Sequence, residues 1–333
     1  MNNISKKEEF IFRNSSAPLM VALDVTSACN FRCLHCFNDS GCKSSDELTD
    51  TEIYQVAQQV AKLNPLVVCL CGGETMLRKN LVDIIRCISK TAGVVNMVSN
   101  GSLINEENIY ELKNAGIDTI QISLDGLNAI QHDTFRGYVG SFEKAVNAIK
   151  LIKKAGINVV VSCTPNKLNH RTIEEYLDFT LGLGVSQVRF MPLIPIGWGS
   201  KIESLLLSPE EYVRLQLILE TRKEKLKYTT QSIEWGDPLD HFQRMPFNAS
   251  FGYKAYSMEV KSNGDLAVST YIPLVVGNVR EKSLKEYWDS GYNDIWKNKE
   301  VLDYTSKIET VYDINELGSI PYLNEKNFID LTK

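Results

Sequence analysis

No stretch of the 333-residue chain approaches the roughly 20 consecutive apolar residues that a membrane span requires, and the polar start Met1–Glu9 holds no apolar core of signal-peptide length. A cytoplasmic protein is the expectation. A basic excess is missing too: 36 Lys and Arg stand against 41 Asp and Glu, a net charge of −5, whereas nucleic acids and anionic membranes select basic surfaces. A small molecule or a peptide suits such a chain better as a partner. Cysteine is absent from the whole second half, since none of the eight follows Cys163. In a reducing compartment those eight argue for metal binding, redox chemistry or buried thiols rather than disulfides.

What is present is a repeated alternation of short apolar runs and longer amphipathic stretches, which signals strand-then-helix units. Strands are expected at Leu19–Val25, Leu66–Cys71, Val94–Ser99, Thr119–Leu124, Asn158–Thr164 and Gln187–Met191, and helices at Asp50–Lys62, Asn80–Thr91, Glu106–Ala115, Ser141–Ala155 and Arg171–Leu183. The Val/Ile/Leu-rich strands suit a parallel sheet with helices outside and a core inside. Six units are fewer than the eight that close a barrel, so the fold class is α/β, an open partial (β/α)6 barrel of the TIM type with chemistry at the C-terminal strand ends. After the break at Pro192–Gly199 a charged helix runs from Pro209 to about Tyr228. The hairpin signal Tyr256–Tyr271 then turns at Asn263-Gly264, a pair suited to a type I′ turn. The resulting division is an N-terminal extension over 1–18, the barrel core over 19–200, a connecting helix over 201–230 and a small α+β domain over 231–333.

The densest chemistry is Cys29-Asn30-Phe31-Arg32-Cys33-Leu34-His35-Cys36, in the loop after the first strand. Three thiolates at this spacing can hold three irons of a cubane cluster and leave the fourth open to another ligand. Zinc with Cys42 as a fourth ligand, or thiols without metal, are the alternatives. Cys71-Gly72-Gly73-Glu74 follows the second strand, Ser99-Asn100-Gly101 ends the third, and Gln121–Gly126 ends the fourth, followed by His132–Gly137. Glycines let backbone approach a ligand closely, and an acid beside them suits an ammonium.

In this order the motifs resemble the radical S-adenosylmethionine superfamily, over about Leu19–Gly199, and within it the peptide-modifying and cofactor-maturing branch. The resemblance implies one [4Fe–4S] cluster on Cys29, Cys33 and Cys36. It further implies S-adenosylmethionine held by Gly72, Gly73, Glu74 and Asn100, by Ser123 and Asp125 at its ribose and carboxylate end, and by Arg136 on its carboxylate. The implied reaction is reductive cleavage of S-adenosylmethionine to a 5′-deoxyadenosyl radical that takes hydrogen from the substrate, with electrons from a flavodoxin- or ferredoxin-type donor. Thr75 and Cys71 depart from the usual residues around the Gly-Gly-Glu motif.

The C-terminal part, with Gly277–Glu281 and Ser283–Trp288, resembles the SPASM or twitch extension of that branch, which usually carries auxiliary-cluster cysteines. Here Ser250, Ser269 and Thr270 stand roughly where cysteines are expected, so the extension is read as free of clusters and as shaping the substrate pocket. Redox-neutral outcomes such as epimerisation, rearrangement or elimination gain weight accordingly. Cys69, Cys71 and Cys163 are each candidates for a thiol that returns a hydrogen atom to the substrate, against simple packing in the core, and Cys163, near the end of the fifth strand, is the leading candidate donor. Trp198 and Trp235 are candidate substrate contacts. A ribosomally made peptide is the expected substrate. The short N-terminus leaves a leader peptide to a separate binding protein or to the C-terminal domain. A small-molecule epimerase, decarboxylase or tetrapyrrole-modifying enzyme is the alternative, and a non-catalytic zinc or iron–sulfur scaffold is the alternative of another class.

Overall fold

The computed structural model describes residues 11–316 and 327–331, so part of the expected N-terminal extension and part of the C-terminal tail lie outside the described residues. Seven consecutive parallel strands form the core: β1 (Met20–Thr26), β2 (Val67–Gly72), β3 (Val94–Ser99), β4 (Thr119–Ser123), β5 (Asn158–Cys163), β6 (Gln187–Phe190) and β7 (Ser232–Trp235). The seventh adds one unit to the six read from the sequence. Helix Pro209–Leu226, expected as a connector between domains, is the crossover between β6 and β7. The four-residue Ser-Ile-Glu-Trp run of β7 is too short and mixed to announce itself.

The parallel sheet is a helix-and-strand alternation whose helices start where the sequence caps them. Thr49 with Glu52, Asn105 with Asn108 and Ser208 with Glu211 form reciprocal capping boxes. Successive strand side chains point to opposite faces. Val21, Leu23 and Val25 of β1, Val68 and Leu70 of β2, and Ile120 and Ile122 of β4 are buried in the main hydrophobic core. The alternate positions Ala22, Asp24, Cys69, Cys71, Gln121 and Ser123 instead line a cavity. The inner face is thus hollow at its C-terminal end, where the chemistry was expected.

The remaining strands continue the same sheet from its other edge. β8 (Ser257–Val260) pairs in parallel with β1, β9 (Asp265–Ala267) pairs antiparallel with β8, and β10 (Leu274–Asn278) and β11 (Asn327–Phe328) complete the eleven-stranded order. The hairpin expected at Asn263-Gly264 is there, but its turn is not type I′. Only Gly264 takes a positive φ, +89°, while Lys261 N–H donates to Asp265 O and Gly264 N–H to Lys261 O, the pattern of a wider loop that ends on one left-handed residue. Helix Leu284–Asp289 and the chain before it anchor this part to helix Asp50–Leu63, through Arg280 on Glu52 and the Leu284 N–H on Gln59.

Candidate functional site

The loop that follows β1 is closed on itself. Ala28 and Gly41 form a bridge, the Cys29 N–H donates to Gly41 O at 2.9 Å, and the Cys36 N–H donates to Cys33 O at 3.2 Å. Beneath it the buried Glu47 carboxylate accepts from the Ser27 N–H and hydroxyl, both at 2.8 Å, and pairs with the buried Arg78 guanidinium at 3.1 Å. From above, Trp198 N–H donates to Cys36 O at 3.1 Å, so the Gly197–Gly199 segment serves as a brace for the loop, and Trp198 does not line the cavity. Trp235 also lies outside the lining, edge-on to Tyr212.

Cys29, Cys33 and Cys36 all border one cavity of about 340 Å³, and none is in a disulfide. Each sulfur has a donor aimed at it: Phe31 N–H on Cys29 and Ser40 N–H on Cys36, both at 3.4 Å, and Arg136 Nη1 on Cys33 at 3.8 Å. Hydrogen bonds to sulfur are among the levers that tune an iron–sulfur centre. Burial pushes the Cys33 thiol up to about 12 although Arg136 pulls it back, so its proton leaves readily only when a metal replaces it. An all-thiolate set spread around a cavity fits the [4Fe–4S] group.

The residues expected to hold S-adenosylmethionine divide into two layers. Gly72, Gly73, Asn100, Ser123 and Arg136 line the cavity with the cysteines, whereas Glu74 and Asp125 are fully buried behind its wall. Glu74 accepts from the Ser99 hydroxyl at 2.8 Å, the Asn100 N–H at 2.7 Å and the Met76 N–H at 3.1 Å. It fixes the ends of β2 and β3 relative to each other. Burial works against the charge of Asp125, and the Arg136 guanidinium offsets this and holds the carboxyl below its usual range. Its second oxygen accepts from Thr164 N–H at 2.7 Å, so Asp125 spends both oxygens on the protein and aims Arg136. Asp125 and Glu74, for which the resemblance implied ligand contact, also support residues that do face the cavity.

Close backbone approach explains the two glycines. A Cβ on Gly72 would strike the carbonyl oxygen of Thr26, at a φ of +131° that side chains rarely adopt, and one on Gly73 would strike the carbonyl oxygen of Ala28. Gly72→Ala is therefore expected to cost about 1–3 kcal/mol in backbone strain alone, read as a lower urea midpoint at unchanged slope. Gly73→Ala should lower it through the clash.

Cys163 lies differently from its expected role. It borders the cavity, but its sulfur accepts from Asn169 Nδ2 at 3.8 Å and meets the Tyr176 hydroxyl on the helix side of β5. The C-terminal part was expected to shape the pocket, but the charged residues that do so were not singled out. Asp24, Glu259, Lys261, Thr270, Tyr271 and Arg189 line the opposite wall of the cavity, with Lys261 Nζ 3.4 Å from Asp24 Oδ2 and 3.3 Å from the Thr270 hydroxyl, while Thr270 donates to Glu259. Thr270, at one of the positions where a cluster cysteine was looked for, is part of this wall. Asp24 within the apolar run Val21–Val25 is the one signal the sequence offered, since a lone charge on a central strand is costly unless it is paired.

Residues 23–180 match the model of the Radical SAM superfamily. The chain is 29% identical over 293 residues to the AdoMet-dependent heme synthase of Methanosarcina barkeri, covering 83% of each chain. It is 27% identical over 281 residues to the sporulation killing factor maturation protein SkfB of Bacillus subtilis, covering 82% of this chain and 65% of that one. Among solved structures, Streptococcus suis SuiB bound to S-adenosylmethionine has a similar fold, with a TM-score of 0.69 at 17% identity over 95% of this chain and 77% of that one.

Proposed function

Because this chain is an enzyme of the radical S-adenosylmethionine superfamily, we propose that it modifies a ribosomally made peptide, by epimerisation or another change centred on carbon. The observation that carries this reading is a second cavity of about 280 Å³ that shares Asp24, Asn38, Ser40, Gly72 and Gly73 with the first as lining residues. It is lined by Ser27, Asn38, Ser40, Ser262 and Asn263. These hydroxyls and amides, with the charged Asp24, Asp39, Lys43 and Asp46 beside them, suit the polar edge of an extended peptide, whereas a broad planar macrocycle needs an apolar slot. The likeness to SkfB, a maturation protein by name, supports the same direction.

When bound, the [4Fe–4S] cluster supplies the electron that splits S-adenosylmethionine, whose adenosyl fragment then takes a hydrogen atom from the substrate. The chain's own residues hold and aim these parts. Cys29, Cys33 and Cys36 ligate the cluster. Arg136, oriented by Asp125, takes the carboxylate of S-adenosylmethionine as a guanidinium fork does. The backbone at Gly72-Gly73 cradles its ammonium, Asn100 and Ser123 face its nucleoside, and the β8–β9 hairpin closes the cavity on the substrate side. The barrel core, which runs on through β7, and a C-terminal unit without auxiliary clusters divide the labour in this way. A flavodoxin- or ferredoxin-type donor, and a separate leader-peptide-binding protein, complete the system.

Tetrapyrrole modification is the second reading, favoured by the likeness to the heme synthase. Anaerobically reconstituted protein with dithionite separates the two. Precursor peptides encoded beside the gene should raise 5′-deoxyadenosine formation at least about tenfold and be converted, with iron-coproporphyrin inert; the reverse pattern selects the tetrapyrrole.

A further inference from the structure

Five cysteines lie outside the cluster motif. Cys42 is exposed, Cys87 sits on helix Leu81–Ile88, and the Cys163 sulfur is taken up by Asn169 and Tyr176. Cys69 and Cys71 are different. They occupy alternate positions of β2, and β2 is held between β1 and β3 with Cys69 opposite Ala22 and Asn96, and Cys71 opposite Asp24. Alternation along the strand puts both side chains on the inner face, where both line the main cavity. Their sulfurs are 3.3 Å apart and share one hydrogen bond. Cys71 directly precedes the Gly72-Gly73 cradle, and the pair faces the same space as the cluster cysteines and the Asp24–Lys261–Glu259 wall.

Simple packing does not explain this placement. The neighbouring Val68 and Leu70 are fully buried against the helix layer, while Cys69 and Cys71 are half-buried at the cavity. A thiol is the weakest hydrogen-bearing bond among the side chains there, and two in contact can share an unpaired electron.

We propose that Cys69 and Cys71 form a paired hydrogen-atom donor that returns hydrogen to a carbon radical of the substrate. The inference rests on the radical S-adenosylmethionine reading of the site and deepens it by assigning the residues that quench the radical. One S–H bond breaks homolytically and a C–H bond forms, which leaves a thiyl radical. The partner thiol loses its proton to solvent and bonds to the thiyl sulfur, giving a disulfide radical anion. One electron from the same low-potential donor and two protons restore both thiols. The net change at the pair is one electron and one proton taken up per hydrogen atom delivered. The substrate loses one hydrogen atom and regains one, so the outcome is redox-neutral, as epimerisation requires. The hydrogen bond from its partner and burial hold Cys71 well above the ordinary thiol range, so a hydrogen stays on sulfur at neutral pH. A disulfide between positions two apart on an extended strand spans about 6.6 Å between Cα atoms, at the far end of what a disulfide tolerates. Strained disulfides are the readily reduced ones, which favours return to the dithiol.

The test has two arms, both on the full chain. In the first, reconstituted protein receives S-adenosylmethionine and dithionite in D2O, in buffer free of glycerol and added thiols, with no other substrate. The 5′-deoxyadenosyl carbon is then the hydrogen acceptor, and mass spectrometry reads its deuterium. Wild-type protein should give mainly monodeuterated 5′-deoxyadenosine, and Cys69→Ser with Cys71→Ser should cut the deuterated fraction at least about tenfold, with Cys87→Ser as control. Serine keeps the size of the side chain but its O–H bond is too strong to donate. Label that survives in the serine variants, or vanishes only in Cys163→Ser, overturns the proposal and leaves the superfamily reading intact. No 5′-deoxyadenosine from the wild type overturns that reading and this proposal with it. In the second arm, cluster-free chain is treated with diamide, alkylated and cut with trypsin. The peptide Leu63–Arg78 contains these two cysteines and no others, and it should emerge two hydrogens lighter and unalkylated. Alkylation of both at the rate of the exposed Cys42 would show that the thiols are not paired and would also overturn the proposal.

Discussion

Changing any one of Cys29, Cys33 or Cys36 to alanine is expected to take iron from about four per chain to below about one and to abolish 5′-deoxyadenosine formation, a loss of at least about a thousandfold. These three share the loop after β1, whereas the other cysteines at the cavity, Cys69, Cys71 and Cys163, are fixed on β2 and β5, so none of them is expected to substitute. Cys42, which is exposed and borders only the second cavity, should tolerate alanine with iron unchanged. Iron and acid-labile sulfide assays on anaerobically reconstituted protein, beside zinc analysis, check this. About eight irons would contradict a cluster-free C-terminal part, and zinc that depends on Cys42 would remove the cubane altogether. Folding of the variants should be little affected, because the loop is held by backbone bonds at Ala28–Gly41 and by Glu47 rather than by sulfur.

The second large effect is expected at the buried pair of Asp125 and Arg136. The Asp125 side chain is fully shielded and that of Arg136 is 12% exposed, so Asp125→Ala leaves a guanidinium buried beside Cys33 without its counter-charge. Breaking such a pair from one side costs about 3–5 kcal/mol. S-adenosylmethionine affinity should fall at least about thirtyfold, since truncating one partner of a buried charge pair costs binding about 2–5 kcal/mol. Urea unfolding and equilibrium dialysis measure the two separately. Arg136→Lys should keep much of the stability and lose most of the affinity, because an ammonium cannot make the planar fork. The pH dependence has a definite sign. Asp125 is held below its ordinary value, so its contribution is complete above a pH of about 3.9, the unfolded value, and is lost as pH falls through the lower folded value. The stability gap between wild type and Asp125→Ala should therefore be constant at neutral pH and close only in acid.

The pair also shows where reading the chain in one dimension stops. Asp125 and Arg136 both stood out as residues of one motif, yet motif order cannot say that the acid pairs with the guanidinium. The same holds for Glu74, whose three donors come from Ser99, Asn100 and Met76, two of them a whole strand and helix further along. Cys163 was the most promising thiol by its place near a strand end. It does border the cavity, beside Ser162, but its sulfur is engaged by Asn169 and Tyr176.

The chain by itself determined whatever depends on neighbours within a few residues. The three-cysteine loop follows from thiol spacing and the helix starts from capping boxes such as Thr49 with Glu52. The order of strands follows from the alternation of apolar runs, because short-range geometry is nearly independent of the rest of the fold. Tertiary structure decided everything set by which face of the sheet a side chain takes and which distant strand lies opposite. Lys261 meets Asp24 only because β8 pairs with β1 across more than 230 residues. Cys69 and Cys71 become neighbours facing a void, and not packing residues, only because the strand period of two turns them inward together.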